Sequence, residues 1–346
     1  MSSSAIFILK EKTCSAGDVC YNSYSGAFTG GGLFNSAVNM SSMLIDGGVE
    51  SSVYSVVDNN GIDAIVTQHA PTHVFIEALW VVPSKFELLS TTHPYIQWIV
   101  RIHSETPFLS NEGVAVDWIF EYVKIPNVSV AFNSQTAYND FVSIVEEQYK
   151  HKIIYLPNYY TGTLSTHIPT MTPDEIHIGC FGAIRPMKNQ LIQAMAAIDF
   201  AQLIQKRLVF HMNGTRIEQH GESTHRNIQS LFNNFPSYQL VEHPWMDHDT
   251  FVDVIASMDI SMQVSLSETF NIVTADAVIN GVAVVVSPEI EWINWMFFAN
   301  PNSAESITNR LITAYTYMQS NSFDFNIVGL QKHNDTAKKL WFDYIT

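Results

Sequence analysis

The sequence predicts an α/β protein built from two Rossmann-like, doubly wound domains facing a shared cleft. Three observations carry this. The chain has 346 residues, enough for two domains of about 150 residues each. Short apolar runs rich in β-formers alternate with helix-like stretches, the pattern of parallel sheets covered on both faces. That alternation occurs in two series, separated by a stretch rich in Thr, Pro and small residues.

The first series of strands reads as 5–9, 52–57, 72–79, 96–103, 128–132 and 152–157, with helix-like segments such as Phe34–Leu44 and Ala137–Gln148 between several of them. The second reads as 176–182, 207–214, 238–244, 259–265 and 282–287, with helices near 189–205, 222–235, 249–258 and 271–280. Residues 159–175 read as the linker, so the domains run 1–158 and 176–325. The last segment, 326–346, is an amphipathic helix with Leu330, Leu340, Trp341 and Tyr344 as its apolar positions. In doubly wound domains ligands bind outside the C-terminal ends of the strands.

Composition narrows the function. Hydrophobic residues make up 47% of the chain, which supports large cores and argues against disorder. The formal charge of −16 argues against a broad basic surface for nucleic acid. Three cysteines, Cys14, Cys20 and Cys180, form no zinc pattern, and their odd number suits a reducing compartment. The N-terminal apolar run lacks a basic flank and a cleavage site, and no apolar run approaches the roughly 20 residues that span a bilayer. The expectation is a cytoplasmic protein.

The most informative stretch is LSETFNIVTADAVINGVAVVVS, residues 266–287. It reads as a turn, a helix stopped by Gly281 and a buried strand. Glu268 lies just before that helix and Asp276 one to two turns inside it. Eight helical positions rotate about 800°, so two acids wholly inside a helix would diverge by about 80°. With Glu268 in the turn, both can point toward one end of the helix, where free N–H groups suit an anion. Carboxylates accept bonds from the vicinal hydroxyls of a sugar or ribose. The plain alternative is that Asp276 is a first-turn acid favoured by the helix dipole.

The pattern E-x-F-x-x-x-x-x-D with the following A-x-x-x-G-x-x-V-V resembles the paired-acid signature of retaining glycosyltransferases of the GT-B fold, particularly family 4. The resemblance covers about residues 24–345 and is strongest over 176–287. It implies that Glu268 contacts donor-sugar hydroxyls and Asp276 the nucleotide ribose, with Phe270 and Asn271 beside the donor. The second acid is Asp, and Asn271 stands where the family has glycine. In GCFGAIRPMKNQ, residues 179–190, Lys188 matches the family's diphosphate-binding Lys and Asn189 replaces the glycine after it. Ala183 occupies the family's Arg position, and Arg185 matches by chemistry instead of register. The final helix is implied to cross back to the first domain.

The glycine run entering the helix at 34–44 includes Gly31 and Gly32 and resembles the family's loop facing donor phosphate; a plain flexible loop explains it equally well. It is neither a dinucleotide fingerprint nor a P-loop, which disfavours a hydride-transfer enzyme. His103 ends a strand where family members carry a cleft His, implying a role at the donor sugar or the acceptor; alone, a His there is more often structural. Asn158 in YLPNYY matches the family's entry to the second domain. Gly214 matches the glycine after the next strand, a close approach to donor. Trp245 is a candidate for the nucleobase pocket. Asp247 and Asp249 form a DxD, but Asp247 is better explained as a helix N-cap than as a metal ligand. His69 and His73 read as structural, with no zinc site between them.

The implied activity is retaining transfer of a sugar from a nucleotide diphosphate, UDP- or GDP-linked, to an acceptor hydroxyl, without metal or cofactor. Glu268, Lys188, Arg185 and His103 are the candidate catalytic residues. The acceptor is a glycan, lipid, protein or modified DNA base. THVFIEALWVVP and WIVRIHSETPF also resemble glycosyltransferases of tailed phages, for which a hydroxymethylated pyrimidine in DNA is one acceptor and the host cytoplasm the setting. The rival is a catalytically inactive nucleotide-sugar binder, suggested by Asp276, Asn271 and the displaced Arg185.

Overall fold

The computed structural model describes residues 3–11, 31–165, 172–319 and 324–346. In chain order the elements are β1 (Ser4–Lys10), α1 (Gly32–Asp46), β2 (Glu50–Val56), α2 (Gly61–His69), β3 (His73–Glu77), α3 (Pro83–Thr92), β4 (Gln97–Ile102), α4 (Thr106–Leu109), α5 (Ala115–Tyr122), β5 (Val128–Phe132), α6 (Gln135–Ile144) and β6 (Ile153–Tyr155). There follow β7 (Glu175–Gly179), α7 (Gln190–Leu203), β8 (Arg207–Asn213), α8 (Glu222–Asn233), β9 (Gln239–His243), α9 (His248–Ala256), β10 (Ile260–Gln263), α10 (Ile272–Ile279), β11 (Ala283–Val286), α11 (Ala304–Gln319) and α12 (Asp324–Ile345). Every strand read from the sequence is present. The helices α2, α3, α4, α5 and α11 were not read from the sequence.

The chain divides into two compact units, one of residues 1–161 with 333–346 and the other of 162–332. Each holds a wholly parallel sheet, of six strands ordered β2-β1-β3-β4-β5-β6 and of five ordered β11-β10-β7-β8-β9. Both orders reverse direction once, between β1 and β3 in the first and between β7 and β10 in the second. These reversals are where doubly wound sheets open a crevice for ligand.

In the first unit, side chains alternate between two cores because successive residues of a strand face opposite ways. Ile6, Ile8, Val74, Ile76, Trp98 and Val100 meet α2, α3, α5 and α6 through Ile62, Phe86, Tyr122 and Phe141. Phe7, Phe75, Ile99 and Ala131 face α1, through Met40 and Leu44, and the end of α12, through Trp341 and Ile345. Trp341 is wholly buried, and its Nε1 donates to the Pro157 carbonyl at 2.8 Å. The division of the chain falls inside α12: its first turns belong to the second unit and residues from His333 onward to the first.

In the second unit β10 and β11 are buried along their whole length; β11 ends the sheet, and a bridge from Val286 to Phe298 covers the end of its outer edge. The outer strand β9 is half exposed. Phe232 of α8 packs on Phe210 of β8, with ring centroids 5.6 Å apart, and Phe251 of α9 stands edge-on to Phe181 at 5.3 Å. Among the described residues no helix is long and apolar enough to cross a membrane.

Candidate active site

The loops after β7 and β10 flank the reversal in the second sheet, and a network of side-chain amides stitches them together. Gln193 of α7 donates to the Lys188 carbonyl at 2.8 Å and accepts from the Val264 amide at 2.9 Å. Asn189 donates to the carbonyls of Val264 and Pro301 at 3.1 and 2.7 Å. Gln263 donates to the Phe181 carbonyl at 2.9 Å and accepts from Asn271 at 3.0 Å. Gln193 and Gln263 each donate and accept, while Asn189 donates twice, so the two loops are tied by side chain to backbone.

This frame brings Lys188 and Glu268 into direct contact: Nζ donates to Oε1, with the two side chains only 12% and 9% exposed. Burial alone would raise the Glu268 carboxyl, but the Lys188 charge and hydrogen bond outweigh it, and it ionises below its ordinary range. A buried pair of this kind, at the strand ends, concentrates a cation and an anion where a ligand can exchange with either.

The two departures from the glycine pattern have a physical explanation. Asn189 and Asn271 both have φ of 59°, the left-handed region where glycine is free of strain and Asn is the next best tolerated residue. Asn271 then does what glycine cannot: its Oδ1 accepts from the Thr274 amide at 2.9 Å and caps α10. Gly182, at φ 118°, keeps a left-handed turn beside the Lys188 side chain.

Arg185 sits off this pair and faces Glu218, with Nη1 3.6 Å from Oε2. Arg216 bonds the other oxygen of Glu218 at 2.6 Å, and its guanidinium lies 4.2 Å from the centre of the Trp245 ring. One carboxylate thus orients two guanidiniums and ties Arg185 to the aromatic platform. A β-bridge between Ile184 and Ile217 holds these loops together.

Asp276 is 1% exposed. Its Oδ1 accepts from His248 Nε2 at 3.0 Å, and His248 opens α9 with its side chain 34% exposed. Phe270 lies in the core, stacked on Trp292 with centroids 5.6 Å apart, so its ring is packed away. A Cβ on Gly214 would come within 2.8 Å of the Glu242 side chain, which explains that glycine from within the protein. Asp247 caps α9 as the sequence suggested, accepting from the Thr250 amide at 2.9 Å.

The remaining candidates lie in the first unit. Gly31 precedes α1 and Gly32 opens it, and the rest of the glycine run, like Cys14 and Cys20, lies outside the described residues. A Cβ on Gly32 would meet nothing within 4 Å. His103 follows β4, and its Nε2 donates to Glu77 Oε2 at 2.5 Å. Glu77 is buried at the end of β3, and its other oxygen accepts from Arg101 at 2.7 Å. Arg101 continues to Asn158 at 2.8 Å, which also accepts from Ser36 at 3.0 Å. Burial pushes the Glu77 carboxyl up, but Arg101 and His103 outweigh it and hold it below its ordinary range. Burial pushes His103 down, against the pull of Glu77. The next residue, Ala78, has φ of 70°, a strained conformation for a residue with a Cβ.

A separate polar line crosses the second sheet away from these loops. His177 Nδ1 lies 3.0 Å from His211 Nε2, and His211 Nδ1 2.9 Å from His243 Nε2. His69 and His73 bond Tyr54 and Thr72 at 3.0 and 2.9 Å, both structural. Sequence reasoning missed Glu77, Arg101, Gln193, Glu218 and His248. Only His248, beside the DxD, carried a local signal.

No protein-family model matches the sequence, and no curated protein does. Solved structures do match. The chain is similar to an α,α-trehalose-phosphate synthase (UDP-forming) from Burkholderia vietnamiensis, with TM-score 0.65, 8% identity, and 99% of this chain and 97% of that one covered. It is similar to the sucrose-phosphate synthase of Thermosynechococcus elongatus, with TM-score 0.66, 12% identity and 99% of both chains covered. Staphylococcus aureus TarM gives TM-score 0.59 and 13% identity over 79% of this chain and 55% of that one. At these identities the likeness is one of fold: two parallel-sheet, Rossmann-like domains, matching the GT-B fold of those glycosyltransferases.

Proposed function

We propose that the protein is a retaining, metal-independent glycosyltransferase that moves a sugar from a nucleotide diphosphate to an acceptor hydroxyl. The Lys188–Glu268 pair at the reversal of the second sheet carries this reading. The similar structures support a UDP-sugar donor: one is named UDP-forming, and another is described as bound with UDP-2-fluoro glucose.

In this mechanism Lys188 and Arg185, with the first amides of α7, meet the charge that develops on the leaving diphosphate. Glu268 exchanges its contact with Lys188 for hydroxyls of the donor sugar. The acceptor oxygen attacks the anomeric carbon on the face the diphosphate leaves. As the new C–O bond forms and the old one breaks, the acceptor proton passes to the departing phosphate oxygen. No protein nucleophile is required. The second unit takes the donor, with the ribose near Asp276 of α10. The left-handed backbone at Asn271, a conformation open to glycine, supports the active reading over an inactive binder.

Donor hydrolysis across a panel of UDP- and GDP-sugars tests this. Hydrolysis of one donor, with the anomeric configuration kept and activity lost in Glu268→Ala and Lys188→Ala, is the expected result. Neither binding nor hydrolysis across the panel would refute it.

A further inference from the structure

Asp276 is 1% exposed, so its carboxylate is not open to a ligand in this conformation. What the carboxylate does touch is His248 Nε2, at 3.0 Å. A carboxylate only accepts, so the ring proton sits on Nε2, which leaves Nδ1 as the acceptor of a neutral ring. His248 follows β9 on the side of the sheet where the strands end, its side chain 34% exposed. The resemblance places a Glu at position 276. Asp is one methylene shorter, and here its carboxylate meets an imidazole from the neighbouring helix.

We infer that His248 is the side chain that reads a ribose hydroxyl of the bound nucleotide, with Asp276 as its positioning residue. This rests on the nucleotide-sugar reading above. A hydroxyl both donates and accepts, so it can bond Nδ1 of His248 whether the ring is neutral or charged. A phosphate suits the place less well, since Asp247, Asp249 and Asp276 all carry negative charge toward this ring. The hydrogen bond that His248 donates to Asp276 raises its proton affinity against the effect of burial, as in a tightly held ring.

The test is titration calorimetry of the whole chain with UDP, 2′-deoxy-UDP and 3′-deoxy-UDP, and with the same guanine set, on wild type, His248→Ala and Asp276→Asn. Wild type is expected to prefer the ribonucleotide about tenfold over one deoxy form, the worth of one hydrogen bond. His248→Ala should lower ribonucleotide affinity to the deoxy level and leave deoxy binding unchanged, a pattern a purely structural role would not give. Asp276→Asn should fall between. Equal binding of all three nucleotides by wild type, or an undiminished ribose preference in His248→Ala, overturns the inference and leaves the transferase reading standing. Absence of any nucleotide binding by folded wild type overturns both.

Discussion

Asn189 and Asn271 share one backbone torsion, φ 59°, on the two loops that carry Lys188 and Glu268. Replacing either with Ala keeps a Cβ in left-handed backbone but removes the side-chain hydrogen bonds that let Asn tolerate it, at about 1 kcal/mol. Gly avoids that strain. Asn271→Ala also deletes the cap on α10, for about 1 kcal/mol more. Urea unfolding should therefore rank Gly above Ala at both positions, the reverse of the order inside a helix. Ala equal to Gly would mean that the torsion does not constrain these sites.

Removing one member of the Lys188–Glu268 pair leaves the other charge nearly buried, which is expected to cost about 3 kcal/mol. Lys188→Met with Glu268→Leu should lie closer to wild type in stability than either single variant, while donor hydrolysis is lost in all three. Because the folded Glu268 carboxyl ionises below its ordinary range, its contribution is present above that range and fades as pH falls through the lowered value. A double-mutant cycle that proved additive would contradict a direct contact.

Glu77 holds Arg101 and His103 at once, with Arg101 only 1% exposed. Glu77→Gln should destabilise the first unit by about 3 kcal/mol by leaving the guanidinium without its counter-charge. Ala78→Gly next to it should stabilise by up to about 1 kcal/mol, since φ of 70° costs glycine nothing. Both are read in chemical denaturation, and a destabilising Ala78→Gly would be the contrary result.

His211, between His177 and His243, is held neutral: burial and its two neighbours lower its value to about 3. A group lowered on folding binds protons more readily when unfolded. Its stabilising effect is therefore complete above about pH 6.5, and it is lost progressively on acidification toward pH 3. His248, raised by Asp276, works in the opposite sense, contributing below about pH 6.5 and losing that contribution as pH rises through its folded value. His211→Leu should flatten the fall of Tm between pH 6.5 and 4; an unaltered slope would assign the acid sensitivity elsewhere.

The strands were legible because each is a compact apolar run closed by turn formers, as in VSVAF at 128–132, which the structure reproduces residue for residue. The helix α11 escaped notice for the opposite reason. Its Thr308, Ile312, Thr313, Tyr315 and Thr316 are poor helix formers, and it is packing of Ile307, Leu311 and Ala314 that holds it. The site divided along the same line. Lys188 and Glu268 lie beside Asn189 and Asn271, whose place in the pattern marks a special backbone. Glu77 and Arg101 show nothing locally, because their meaning is the contact between β3 and β4, which only the register of the sheet creates. Asp276 was visible as an acid, but its burial behind His248 depends on how α9 meets α10.

The first unit takes Trp341 and Ile345 into the same core as Phe7 and Phe75. Strand β1 thus waits for packing partners encoded more than three hundred residues downstream. During synthesis at about 5–20 residues per second, the interval between them is many seconds. The second unit lies wholly inside that interval and can complete its own sheet first. On the ribosome the second unit is therefore expected to fold early, with one face of the N-terminal sheet covered only by α1 until residues 333–346 emerge.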